Sequence, residues 1–99
     1  MAQRRIRELA AARKVALTLK AFRELGELGL DEVDACNVLA GLNAPECAGR
    51  ERSITTGEWM YVFKPNLAGR LLYIKVILRT SCVLISLHED NDGSYEDNF

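Results

Sequence analysis

Four side chains in the last third of the chain are of types that handle phosphate and protons: Tyr73, Lys75, Arg79 and His88, the only histidine present. Cations bind phosphate oxygens, a phenol hydrogen-bonds them, and an imidazole exchanges protons near neutral pH. Their spacing matters because side chains on a strand alternate faces with period two. Residues 71–87 read Leu-Leu-Tyr-Ile-Lys-Val-Ile-Leu-Arg-Thr-Ser-Cys-Val-Leu-Ile-Ser-Leu. The outgoing run then carries Leu72, Ile74, Val76 and Leu78 on one face and Tyr73, Lys75, Ile77 and Arg79 on the other. The returning run divides into Val83, Ile85 and Leu87 against Cys82, Leu84, Ser86 and His88. A hairpin turning at Thr80-Ser81 pairs Ile74 with Leu87, Val76 with Ile85, Tyr73 with His88 and Lys75 with Ser86. Slipping by one residue would mix charged and apolar partners, which burial of one face forbids. The pattern therefore predicts an apolar core face backed by a face suited to a phosphate-bearing ligand.

The elements that must hold this ribbon in place read as helices first and strands afterwards. Gln3 to Lys14 is rich in helix formers, with Ile6, Leu9 and Ala10/Arg13 at helical spacing. Val15 to Leu19 is short and β-tending, an edge strand or a helix continuation. A second helix over Lys20 to Leu28 buries Ala21, Phe22, Leu25 and Leu28 and ends at Gly29. Asp31 caps a third, Glu32 to Leu42, with Val33, Cys36, Val38, Leu39 and Leu42 inward, closed by Gly41, Asn43 and Pro45. From Cys47 the period changes to two. Ser53–Thr56 is a candidate strand, and Glu58–Lys64 alternates Trp59, Tyr61 and Phe63 with Glu58, Met60, Val62 and Lys64. Residues 65–69 are the turn. Pairing Pro65 with Arg70 sets Phe63, Tyr61 and Trp59 against Leu72, Ile74 and Val76, so the aromatic triplet reads as core, not as a base-stacking platform. On the other face Val62 meets Tyr73 and Met60 meets Lys75. The fold class is α+β, with N-terminal helices packed on one face of a C-terminal antiparallel sheet of three or four strands.

Composition narrows the function classes. Ninety-nine residues suit one domain, and residues 1–90 are expected to form it. The net charge of −1 hides a segregation: residues 89–99 hold Glu89, Asp90, Asp92, Glu96 and Asp97 and no base. Residues 1–88 hold all 13 bases against the remaining nine of 14 acids, a balance of +4. A mildly basic body is compatible with RNA binding, and 91–99 reads as an acidic, flexible tail. No apolar run reaches the ~20 residues of a membrane span, so a cytoplasmic location is expected. Three cysteines without CxxC spacing and a single histidine offer little for zinc or a Ser-His-Asp triad, so no metal or cofactor is expected.

Leu28-Gly-Leu-Asp31, Cys36-Asn37-Val38, Gly41-Leu42, Ser53-Ile-Thr-Thr56, Trp59, Val62 with Lys64-Pro65, Tyr73-Ile-Lys75 and Val83-Leu-Ile-Ser86 stand here in a fixed order. This set resembles the MqsR (motility quorum-sensing regulator) toxins over about residues 28–89, with a shorter segment between Thr56 and Trp59. The resemblance implies a RelE-like fold and a type II toxin–antitoxin ribonuclease that cuts mRNA without a metal. It also implies a cognate antitoxin, a DNA-binding repressor encoded nearby. The family's lysine before Ser-x-Thr-Thr falls at Arg52, its glutamine after the tryptophan at Met60, its tyrosine at Tyr73, and its final lysine at His88.

Cutting RNA by 2′-hydroxyl attack on the adjacent phosphate needs a base, an acid and cations for the phosphoryl oxygens. The expected roles are His88 for proton transfer, Tyr73 to orient the reacting groups, and Arg52, Lys75 and Arg79 for phosphate charge. Met60 cannot make a glutamine's hydrogen bonds. The competing reading is therefore an RNA- or protein-binding domain of the same fold with a weakened site. Lys75 and Arg79 on a merely solvated sheet face would suit that reading.

Overall fold

The computed structural model describes residues 2–42 and 47–90. Helices α1 (Ala2–Ala11), α2 (Leu19–Glu27) and α3 (Glu32–Ala40) come first, with strand β1 (Val15–Leu17) between α1 and α2. Strands β2 (Cys47–Arg52), β3 (Trp59–Phe63), β4 (Asn66–Leu67), β5 (Arg70–Leu78) and β6 (Cys82–Glu89) follow. The α+β arrangement is the expected one. Asn43, Pro45 and the acidic stretch 91–99 lie outside the described residues.

Local chemistry sets the helix ends. The Thr18 hydroxyl accepts from Ala21 N at 3.1 Å, so α2 starts at Leu19 and the ambiguous stretch before it resolves into β1. Asp31 and Asp34 form a reciprocal capping box at α3, with bonds of 2.9 and 3.0 Å. Inward positions are Ile6, Leu9 and Ala10 on α1, Ala21 and Leu25 on α2, and Ala35, Cys36 and Leu39 on α3. Phe22 and Val33, expected inside, are exposed. Each sits one residue, about 100° of helical rotation, off the stripe that faces the sheet.

The sheet runs β1-β6-β5-β3-β2, with β4 paired to β5. It is not wholly antiparallel: β1 pairs with β6 in parallel, Val15 opposite Cys82 and Leu17 opposite Leu84. Beyond Leu84, α2 covers the outer edge of β6. Thr18 N donates to Leu84 O, the Thr18 hydroxyl to Ile85 O, and Leu87 N to the Glu24 carboxylate. Backbone groups that would otherwise stand open at a sheet edge are thus satisfied.

Three sequence expectations about strands are corrected. Ser53–Thr56 is the turn between β2 and β3, not a strand. The Ser53 and Thr56 hydroxyls accept from Thr56 N and Glu58 N, bonds that compete with a ladder, and Ile54 at the tip is fully exposed. Secondly, β3 and β5 pair two residues away from the expected register, with Tyr61 opposite Val76, Phe63 opposite Ile74, Met60 opposite Ile77 and Val62 opposite Lys75. The cause is the turn. Leu67 pairs with Arg70 through only Ala68-Gly69, both at positive φ (53° and 85°), a two-residue reversal that matches strand twist. Thirdly, Val76 pairs with Leu84, not Ile85, because a bulge inserts Ile85 as an extra residue between the Val76–Leu84 and Lys75–Ser86 pairs. Cys82 and Leu84 therefore enter the core in place of Val83 and Ile85, while Leu87 stays inward.

The core joins Phe63, Leu72, Ile74, Val76, Cys82, Leu84 and Leu87 of the sheet to the inward side chains of all three helices. Trp59 is not in that core. Although it shares the helix-side face with Tyr61 and Phe63, it lies on the flank toward β2, half-buried under two guanidiniums: Arg50 at 4.1 Å and Arg52 at 4.3 Å from its ring centroid.

Candidate active site

The face of the sheet turned away from the helices carries the candidate residues Tyr73, Lys75 and His88. Alternation on β5 puts Tyr73, Lys75, Ile77 and Arg79 there, and the bulge restores phase on β6 so that Tyr73 stands opposite His88 and Lys75 opposite Ser86, as the hairpin arithmetic predicted. Tyr73 and His88 stack with ring centroids 5.1 Å apart and planes 11° from parallel. On the same face Val62, opposite Lys75, and Ile77, opposite Met60, are buried at 8 % and 6 % exposed.

The histidine tautomer follows from its neighbour. Nδ1 lies 3.0 Å from the Glu89 carbonyl oxygen, which can only accept, so Nδ1 donates. In the neutral ring the lone pair then sits on Nε2, the atom left to take a proton.

Two ammonium groups flank the stack. Lys75 Nζ is 5.8 Å and Lys64 Nζ 5.9 Å from the Tyr73 ring centroid. Sequence reasoning put Lys64 on this face but not in the site. The true β3–β5 register, continued one pair past Phe63–Ile74, brings it opposite Tyr73, whereas the expected register put Val62 there. Each ammonium is already engaged. Lys75 donates to the Glu51 carboxylate at 2.6 Å, and Lys64 pairs with Asp90 at 3.2 Å. The Glu51 hydrogen bond pushes the Lys75 pKa up against partial burial, and Tyr73 adds to the rise. Glu51 was not foreseen either; only the β2–β3 pairing, with Glu51 opposite Met60, puts its carboxylate on this face.

The remaining predicted residues stand elsewhere. Arg79 is on the same face but six residues, roughly 20 Å, along β5 from Tyr73. It grips Glu58 through two bonds of 2.8 and 2.6 Å. That fork holds the Glu58 carboxyl down at about 2 and raises Arg79 itself. Met60 lies opposite Ile77, between the two charged ends, and not beside Lys75. Arg52 is not brought to the stack. It pairs with Trp59, whose register position falls five residues, roughly 17 Å, from Tyr73, and it points to the helix side. Its guanidinium also donates to Gly57 O at 2.9 Å, tying down the β2–β3 turn.

The described residues thus form an α+β protein whose open sheet face carries a phenol–imidazole stack beside two ammonium groups. The family model described as motility quorum-sensing regulator, toxin of MqsA, matches residues 2–89. The Escherichia coli (strain K12) protein named mRNA interferase toxin MqsR is 30 % identical over 88 residues, covering 85 % of this chain and 87 % of that one. The chain belongs to the MqsR toxin family. Among the described residues no helix is long and apolar enough to cross a membrane.

Proposed function

We propose that this protein is a toxin whose activity is endonucleolytic cleavage of mRNA, carried by the domain at residues 1–90 and acting without a divalent metal. The observation that carries the reading is the Tyr73–His88 stack flanked by Lys64 and Lys75 on the sheet face opposite the helices. The name of the E. coli relative, an mRNA interferase, supports the same substrate class.

In the proposed reaction a ribose 2′-hydroxyl attacks the adjacent phosphorus, the bond to the 5′-oxygen breaks, and a 2′,3′-cyclic phosphate remains. His88 takes the 2′-hydroxyl proton on Nε2 and delivers it to the leaving 5′-oxygen, while its Nδ1 is held by the Glu89 carbonyl. Lys64 and Lys75 stabilise the charge on the phosphoryl oxygens, and the Tyr73 phenol orients the phosphate. Arg79, on the same face roughly 20 Å along the sheet, would touch a flanking nucleotide and not the scissile linkage, while Arg52, on the helix side over Trp59, would hold the β2–β3 turn. The partner would be a cognate antitoxin, and the site of action the cytoplasm.

The test is incubation of purified protein with a long mRNA in excess chelator. Discrete fragments ending in cyclic phosphate or 3′-phosphate are expected, and His88→Ala should cut roughly 100-fold or more slowly. His88→Ala cleaving at the wild-type rate removes the imidazole from the mechanism. RNA retained but never cut would favour the binding-domain reading, which Met60 and the carboxylate partners of both lysines suit.

A further inference from the structure

Both ammonium groups beside the stack are occupied by carboxylates of this same chain, and the two carboxylates arrive from opposite sides. Asp90 follows the end of β6, its side chain only 6 % exposed, and is anchored there by a bond from its own N to Leu71 O at 2.7 Å. Glu51 comes from β2, across the width of β3, to reach Lys75. The two pairs differ in how readily they open. Glu51 is 52 % exposed on the outermost strand, whereas the Lys75 it holds is 20 % exposed. A carboxylate and a phosphodiester oxygen compete for the same three ammonium protons. An RNA phosphate approaching Lys75 therefore meets a neutralised ammonium and a carboxylate of its own sign, and Glu51, half exposed, can swing into water as the phosphate takes its place.

We propose that Glu51 is a positioning residue that holds Lys75 as an internal competitor of the RNA phosphate and so sets the affinity of the face for RNA. This rests on the ribonuclease reading and adds the control of its affinity. Glu51 draws Lys75 Nζ outward toward β2, and a phosphate over Tyr73 draws it the other way. Loss of the carboxylate leaves the ammonium available from the outset. Binding then improves, while the chemical step, which begins after the exchange, keeps its rate. The effect must pass through Lys75 and not through the general field of one acid removed.

The experiment is a double-mutant cycle of Glu51→Gln and Lys75→Met, read by binding of a 2′-O-methyl RNA that cannot be cleaved, with kcat and KM measured in parallel on cleavable RNA. Glu51→Gln should tighten binding roughly fivefold and lower KM with kcat unchanged, the size of one exposed ion pair. In the Lys75→Met background the same substitution should change binding less than twofold. Unchanged or weaker binding in Glu51→Gln overturns the proposal alone, provided that the wild type binds and cuts. An equal gain in both backgrounds also overturns it, because the carboxylate then acts only through net charge. A wild-type protein that neither binds nor cuts RNA overturns the proposal together with the reading beneath it. Far-ultraviolet circular dichroism and melting of each variant separate these results from loss of fold.

Discussion

Replacing Leu84 and its neighbour Ile85 by alanine, one at a time, tests the bulge that sets the phase of β6. Leu84 is fully buried and packs in the core opposite Val76; Ile85, the extra residue, is half-buried and lies outside the core cluster. Leu84→Ala removes three carbons, worth about 2.4 kcal/mol at roughly 0.8 kcal/mol per buried CH₂. The cavity left behind raises the loss to about 3–4 kcal/mol. Ile85→Ala gives up only part of such a transfer term and no core cavity, about 1 kcal/mol. A domain of this length has a total stability on the order of 5–15 kcal/mol, so the first variant loses a large fraction of it. In urea melts with m near ~1.5 kcal/mol/M the midpoint should fall by about 2 M for Leu84→Ala and by well under 1 M for Ile85→Ala. Equal losses, or a larger one for Ile85→Ala, would refute the bulge. The uninterrupted alternation, with Val83 and Ile85 inward, would then be correct.

Thr18→Ala removes both the α2 cap and the hydroxyl bond to Ile85 O, and should cost about 1–2 kcal/mol in the same melts. Gly69→Ala places a Cβ at φ 85°, where there is space but not the conformation, and should cost about 1–2 kcal/mol by urea denaturation. Because Arg79 holds the Glu58 carboxyl down at about 2, against 4.5 for an ordinary glutamate, the ionised Glu58 stabilises the fold fully above pH ~4.5. That contribution is lost as pH falls toward 2, so the melting-temperature gap between wild type and Glu58→Gln should close over this window; a gap independent of pH would contradict it. Lys64→Met should weaken RNA binding and reduce the slope of log affinity against log salt by about 0.7, the share of one phosphate on a single strand.

Part of the arrangement was legible from residue types alone. Asp31 is a cap residue by chemistry, Gly29 ends α2 with φ 74°, and the apolar alternation of β5 names its core face without any partner. The Tyr73–His88 pairing matches the count from a two-residue turn at Thr80-Ser81 only because two departures cancel: Leu78 faces Cys82 around a three-residue turn, and the bulge at Ile85 adds the residue that the longer turn removes. Register further away was not legible. Period-two alternation identifies a face but is indifferent to shifts of two, so the Ala68-Gly69 reversal moved β3 past β5 without disturbing which side is core. That indifference hid Lys64 from the site and misplaced Met60. The bulge at Ile85 escaped for a related reason. An all-apolar run from Cys82 to Ile85 satisfies either phase, and the edge bonds from Thr18 and Glu24, more than sixty residues away, accompany the phase it takes.

What the chain's own order of residues determined, then, is the local code: the α3 cap, the helical stripes, and the faces of β3 and β5. Tertiary structure alone decided which charges neutralise which. Glu51 on Lys75, Asp90 on Lys64 and Glu58 on Arg79 join residues 21 to 26 positions apart. Coulombic attraction acts through space and leaves no periodic trace in sequence, so these partnerships emerge only when the strands have found their neighbours.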